Sequence, residues 1–287
     1  MKKSKDIASF DVYDYLKHTF FQDTQRPYLM VDSSTYKAAS IDFPIRNTFY
    51  GIALTKPGDV QVKIACEHYN ITDSSLILLG PGIVSQWMTY SDAPTDTILF
   101  QETLLEGLAT STFLSSLPFF QPGGHHVLKL ENQDYKNIKA FFLFMAQFKK
   151  EASILPGIVH SLLEYIKKLY YRQLSENQTK LTIKEKQIFK FKSMVARFFR
   201  EQKQVSFYAS KMNITPKYLS EFLLSETGKT AKNHIIDVVI LDAKSLLKQT
   251  TLSVQEISYI LGYSDSSYFS KIFKKMEKLS PLEYRRK

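Results

Sequence analysis

Between residues 35 and 105 the apolar positions come in short runs, and a turn signal cuts each one. NTFYGIALT, VQVKIACEHYNI, SSLILLG, VSQWMTY and DTILFQET are separated by TKPGD, NITDS, GPG and SDAPTD. Runs rich in Ile, Val, Tyr and Phe, bounded by Pro, Gly and Asp, predict antiparallel strands of a sandwich or barrel. The period then lengthens. QDYKNIKAFFLFMAQFKKEA (133–152) and IVHSLLEYIKKLYYRQL (158–174) carry apolar residues at i, i+3 and i+4, with Pro156-Gly157 between them, and predict a helical hairpin. Its first arm has Phe141, Phe142, Phe144, Met145 and Phe148 on more than one face, so it has two surfaces to bury, one on the barrel and one on a partner subunit. SENQTK (175–180) holds no apolar residue and reads as a linker over 175–183, after which a helical pattern resumes at IKEKQIFKFKSMVARFFREQ and lasts to the end.

The helical tail contains a near-repeat. VSFYASKMNITPKYLSEFLLSETGKTAKNHI (205–235) is similar to VQEISYILGYSDSSYFSKIFKKMEKLSPLEYRR (254–286). Val205 matches Val254 and Met212 matches Leu261 at an offset of 49, whereas Tyr218-Leu219-Ser220 matches Tyr268-Phe269-Ser270 at an offset of 50, so the second turn is one residue longer. NHIIDVVILDAKSLLKQT between the copies reads as one long helix. In each copy a short helix stops at a turn residue (Asn213, Gly262), and a second starts at a cap, Thr215-Pro216 or Asp265-Ser266. Helix, tight turn, capped helix is a helix-turn-helix, whose second helix enters the DNA major groove while the first crosses the backbone. A plain helical bundle uses the same geometry, so the pattern alone leaves both readings open.

Charge separates them. Residues 1–178 hold 17 Lys+Arg against 18 Asp+Glu, and residues 179–287 hold 21 against 10, so the whole +10 excess lies in the part that carries the repeat. Two helix-turn-helix copies on the only basic part of the chain point to a polyanion, double-stranded DNA, rather than to a merely solvated lysine-rich surface. A length of 287 residues at 44% hydrophobic favours two domains with packed cores. The single cysteine, Cys66, allows no internal disulfide and fits a reducing, cytoplasmic setting. Asp6, Asp11 and Asp14 interrupt any apolar stretch of a leader, and AFFLFMAQF (140–148) is far short of the roughly 20 apolar residues that a spanning helix needs, so no membrane is expected.

The tail also resembles a known family. Ala209, Ile214, Tyr218-Leu219-Ser220 and Glu226-Thr227-Gly228-Lys229-Thr230 carry the resemblance in the first copy. In the second it rests on Ile257, Leu261-Gly262-Tyr263-Ser264-Asp265, Tyr268-Phe269-Ser270-Lys271, Phe273-Lys274 and Ser280-Pro281-Leu282-Glu283-Tyr284-Arg285. These resemble the DNA-binding domain of the AraC/XylS family of bacterial transcription regulators, over residues from about 184 to 287. Strand pattern and the LLGPG turn are similar, more loosely, to that family's cupin-like sensor domain. The resemblance implies an α+β multidomain chain. Residues 1–174 would form a β-rich, cupin-like barrel or sandwich with the hairpin 133–174. Residues 184–287 would form a seven-helix, all-α domain of two helix-turn-helix units joined by a long helix. It places Lys217, Ser220 and Glu221 of the first recognition helix, and Ser266, Ser267 and Lys271 of the second, at base edges. Lys271 suits guanine O6 and N7, and Glu221 suits cytosine N4. Phosphates would meet Thr215, Lys229, Lys274, Lys275, Arg285 and the helix N-termini. One departure stands out: Leu224-Ser225 occupies the place where the family usually has basic residues, so the second copy is expected to dominate affinity.

Other chemistry finds little foothold. His125-His126 follow Pro122-Gly123-Gly124, but cupin metal centres need a G-x5-H-x-H stretch with further ligands, and Ser85 stands where many cupin-like sensor domains carry histidine. A solvated loop is the expectation there, with no metal and no cofactor. Cys66 in VQVKIACEHY reads as a buried thiol of an alternating strand. No phosphate-binding glycine loop appears. Trp87, the only tryptophan, is either core or the lining of a ligand cavity. The chain is therefore expected to be no enzyme but a homodimeric transcription regulator, controlled by a small-molecule effector or by dimer contact, with RNA polymerase as a further partner. The alternatives are a regulator whose N-terminal domain only dimerises or meets a protein, and a cupin-type enzyme.

Overall fold

The computed structural model describes residues 27–31, 43–58, 60–65, 67–90, 95–110, 112–148, 151, 153–180 and 182–287. It divides into two units, one holding strand β1 and residues 47–180, the other residues 43–46 and 181–287.

In the first unit the apolar runs become strands: β1 (Tyr28–Val31), β3 (Tyr50–Thr55), β4 (Val60–Ile64), β5 (Glu67–Ile71), β6 (Ser75–Leu79), β7 (Val84–Tyr90), β8 (Thr95–Phe100) and β9 (Val127–Lys129). Five of them form an antiparallel sheet in the order β1-β8-β3-β6-β9, and β7, β4 and β5 pair in a second. β3 and β6 are buried along their whole length, hence their continuous apolar sequence, whereas β4 alternates buried and half-buried positions. Ile52 pairs with Leu78 on one side and Ile98 on the other, at the centre of the larger core. The second core gathers Val60, Val62, Ile64, Ile71, Ile77 and Leu79, with Trp87 and Tyr69 packed against its edge.

VQVKIACEHYNI is two strands rather than one. β4 and β5 pair antiparallel with Ile64 opposite Glu67, and Ala65 turns the chain at φ +52°. Cys66 lies outside the described residues. The His125-His126 loop is not solvated as expected. His126 is buried, its carbonyl accepts the Leu78 N–H at 2.8 Å, and its Nδ1 lies 3.1 Å from the Phe119 carbonyl. Burial pushes its imidazole down to about 4, so it is neutral at physiological pH. Glycines and the short strand β9 bring this loop onto β6, so the backbone pairing draws the ring inward. Among the described residues no cluster of His, Cys, Asp and Glu could hold a metal ion, and no helix is long and apolar enough to cross a membrane.

A short helix α1 (Phe113–Ser116) precedes the hairpin of α2 (Asn132–Gln147) and α3 (Leu155–Lys180). α2 buries Asp134, Ile138, Phe142 and Met145, one stripe at helical spacing. Asp134 accepts from Tyr165 at 3.0 Å and pairs with Arg172, which ties the two arms together. Phe148 packs against the core, its ring 4.9 Å from Phe144. The outward surface of α2 is instead made by Leu143, 57% exposed, and Phe144, 48% exposed. The expected linker is mostly helix: α3 runs to Lys180 through SENQTK. That stretch contains neither glycine nor proline, and a polar sequence extends a helix into solvent as readily as it forms a loop.

The second unit is seven helices: α4 (Ile183–Phe198), α5 (Val205–Lys211), α6 (Pro216–Thr227), α7 (Ala231–Gln249), α8 (Val254–Ile260), α9 (Ser266–Glu277) and α10 (Pro281–Arg286). Capping boxes start three of them, at Thr182/Glu185, Ser253/Glu256 and Ser280/Glu283. α7 runs through the single core, with Val239, Ile240, Ala243 and Leu247 packed among Leu219 and Leu223 of the first copy and Ile257, Phe269 and Phe273 of the second. The two-residue strand β2 (Ile45–Arg46) belongs with these helices.

Candidate nucleic-acid interface

The first helix-turn-helix is α5 and α6. Asn213 turns the chain at φ +58°, the Ile214 N–H returns to the Ala209 carbonyl at 3.0 Å, and the Thr215 hydroxyl accepts from the Tyr218 N–H at 3.2 Å. Pro216 takes the first helical position, where its missing N–H costs nothing. Leu219, Phe222 and Leu223 face the core, which leaves Lys217, Tyr218, Glu221 and Leu224 exposed on the opposite side.

The second copy, α8 and α9, repeats the arrangement with Gly262 at φ +77°, and the Tyr263 N–H bonds to the Ser258 carbonyl at 2.8 Å. Asp265 caps α9 by accepting from the Ser267 N–H at 2.7 Å. With Phe269 and Phe273 buried, Ser267, Tyr268, Lys271, Lys274 and Lys275 line the exposed face. Each copy thus presents one capped helix with one face outward, mixed in α6 and lysine-rich in α9.

Residues 208–287 match the family described as "Helix-turn-helix domain". Over 200 residues the chain is 24% identical to the Msm operon regulatory protein of Streptococcus mutans serotype c, a match that takes in 70% of this chain and 66% of that protein. Over 67 residues it is 39% identical to the xylose operon regulatory protein of Haemophilus influenzae, covering 23% of this chain and 17% of that one. Residues 208–287 are a helix-turn-helix domain of the AraC/XylS type. These matches span less than two thirds of either regulator's own length. Among solved structures, the C-terminal domain of AraT, a response regulator from Geobacillus stearothermophilus, is 28% identical over 37% of this chain and 86% of that one, with a TM-score of 0.34.

The second helices of the two copies in this AraC/XylS-type domain differ in charge. Glu221, Leu224 and Ser225 of α6 correspond, fifty residues on, to Lys271, Lys274 and Lys275 of α9. Lys217 stands 3.9 Å from Glu221, an exposed pair of little energetic weight. Lys271, Lys274 and Lys275 form no ion pair among the described residues. The last two also lie in the final turn of α9, where they offset its dipole.

Of the residues expected at base edges, Lys217, Glu221, Ser267 and Lys271 are exposed and Ser220 and Ser266 are half-buried. Of those expected at phosphates, Lys274 and Lys275 are open, and the Thr215 hydroxyl already accepts from the helix it caps. Lys229 is paired with Asp237 at 2.5 Å. The Arg285 guanidinium donates to the Leu247 carbonyl at 3.1 Å and to the Leu252 carbonyl, so it closes the C-terminal end of α7.

Sequence reasoning missed a cluster in the second unit. Asp242 of α7 is 1% exposed and receives two guanidinium groups, Arg200 and Arg46. Nearby, the Lys203 ammonium donates to the carbonyls of Arg200 and Gly262, each at 3.0 Å, with the Tyr263 ring 4.8 Å away. Burial lowers the pKa of Lys203 and raises that of the Tyr263 phenol to about 12. A signal for this cluster was present: an acid at 242 sits among apolar positions 239, 240 and 243, which share the core-facing side of the helix.

Proposed function

We propose that this chain is a sequence-specific DNA-binding transcription regulator in which α6 and α9 enter successive major-groove faces of double-stranded DNA. What carries the reading is the duplicated, capped helix-turn-helix with its lysine-lined second copy in the only basic part of the chain. On α9, Lys271 is the base reader and Lys274 and Lys275 hold phosphates. α6, with Glu221 and Leu224 outward, adds less to affinity. A lysine on a base edge discriminates between sequences by about 1–3 kcal/mol, whereas a phosphate lysine acts on every sequence alike. Lys271→Ala is therefore expected to weaken binding to the operator more than to scrambled duplex. Lys275→Ala should weaken both about equally and reduce the salt slope by about one. Lys217→Ala should cost less than Lys271→Ala. Competition binding at two salt concentrations reads all three, and a dominant Lys217 would make α6 the main reader.

The N-terminal unit then controls how the DNA-binding half is presented, through a small-molecule effector or a dimer contact that favours one of two states. Leu143 and Phe144 support the dimer reading, because two large apolar side chains stand outward side by side on α2. Leu143→Glu or Phe144→Glu should lower dimer affinity about tenfold or more, read as mass by light scattering at several concentrations. A folded variant of unchanged mass would move the contact elsewhere. Contact with RNA polymerase belongs to the same proposal, for a regulator that activates.

A further inference from the structure

We infer that Arg46, which lies far upstream in the sequence, is a positioning residue of the DNA-binding unit, acting through Asp242 and Arg200 on the turn that aims α9. The inference rests on the proposed function only where DNA is the readout. Its geometry begins at the Asp242 carboxylate. Oδ2 accepts from Arg200 Nε at 3.0 Å and Nη2 at 2.9 Å, while Oδ1 accepts from Arg46 Nε at 2.9 Å and from its Nη2. Each oxygen thus has its own guanidinium, an arrangement that fixes the carboxylate from both sides.

Arg46 is itself fixed. Its N–H donates to the Gln249 side-chain oxygen at 2.8 Å, and the Gln249 amide donates back to its carbonyl at 3.3 Å. Gln249 lies seven residues after Asp242 and so on the same face of α7. The Phe43 ring lies 5.9 Å from the Lys248 ammonium. Residues 43–46 are therefore held against α7 at both ends of the segment.

The other end of the chain of contacts is the Arg200 backbone. Its carbonyl and that of Gly262 share the Lys203 ammonium, and a Cβ placed on Gly262 would fall 1.8 Å from the Arg200 oxygen. The turn of the second helix-turn-helix thus rests directly on residue 200. If Arg46 is removed, Oδ1 is left buried without its cation. Arg200 then gains by swinging to a two-oxygen fork across the carboxylate, the stronger arrangement for that pair. That movement shifts the corner on which the turn sits. The first turn, at Asn213, has no such support from Arg200.

The test uses the full chain with Arg46→Ala and Arg46→Lys. Amide hydrogen exchange is followed at Gly262 and Tyr263, whose N–H groups bond to the Tyr259 and Ser258 carbonyls, and at Asn213 and Ile214 in the first turn. Arg46→Ala should speed exchange at 262–263 by about tenfold and change 213–214 by less than about twofold. Arg46→Lys, which keeps a charge but not the fork, should fall between wild type and alanine, and serves alone if the alanine variant does not fold. Operator preference over scrambled duplex should drop about tenfold in Arg46→Ala. Equal acceleration at both turns, or none at 262–263, overturns the inference. A wild-type chain that binds no duplex overturns the proposed function instead and leaves the exchange result to decide the role of Arg46.

Discussion

Gly262→Ala is expected to destabilise the C-terminal unit by about 3–4 kcal/mol. Two costs add. An alanine held in the left-handed region loses about 1–2 kcal/mol. Its Cβ would also stand 1.8 Å from the Arg200 carbonyl oxygen and 2.5 Å from the Lys203 ammonium, and the first of these is backbone that cannot rotate away. Gly228 isolates the first cost, because its φ is also positive, +72°, but nothing lies within 4 Å of an added Cβ. Gly228→Ala should therefore cost only about 1–2 kcal/mol. Urea unfolding followed by far-ultraviolet circular dichroism compares the two. Equal losses would show that the contact with Arg200 contributes nothing. The same contact accounts for the different turn residues of the two copies: Asn213, whose side chain tolerates a left-handed backbone, serves in the first turn at φ +58°.

Gly80→Ala should cost the N-terminal unit about 2–3 kcal/mol for a purely steric reason. An added Cβ would lie 2.2 Å from the Phe120 carbonyl oxygen and 2.9 Å from the Phe120 Cβ. The Phe120 ring is buried edge-on to Tyr50 at 4.9 Å and to Phe119 at 4.8 Å, so the segment has no room to retreat. Trp87 is the only tryptophan and lies on β7 of this unit, so its fluorescence reports unfolding there and not among the C-terminal helices. Gly80→Ala should lower the midpoint of the fluorescence transition, and Gly262→Ala should leave that midpoint in place. An unshifted midpoint for Gly80→Ala would mean that the backbone near Phe120 gives way at no cost.

The helix-turn-helix pair was legible because its information is local. Turn residues, caps and core positions recur at fixed spacing, so Asn213, Gly262, Thr215 and Asp265 could be read in sequence order. The strands were legible for the same reason, up to the turn at Ala65, where neither glycine nor proline interrupts the apolar alternation. SENQTK, expected as a linker, is helical as far as Lys180, because polarity alone does not distinguish a loop from the end of a long helix. His126 was misread because the glycines before it signal a loop without saying which way the loop folds. Partners that leave no pattern were out of reach. Arg285 binds backbone carbonyls, Lys229 meets an acid on the next helix, and Arg46 meets Asp242 across 196 residues.

That last separation sets an order of events during synthesis. Arg46 leaves the ribosome early, and Asp242 and Gln249 follow about two hundred residues later, which at about 5–20 residues per second is a delay of roughly 10–40 s. All of β3 to α3 emerges in that interval and has time to fold while residues 43–46 still lack the helix that receives them. The C-terminal helices can pack their apolar core as they appear, but the Asp242 carboxylate obtains its second guanidinium only from a segment made long before. The ion cluster can therefore close only after α7 has emerged, although both of its guanidinium groups are made earlier.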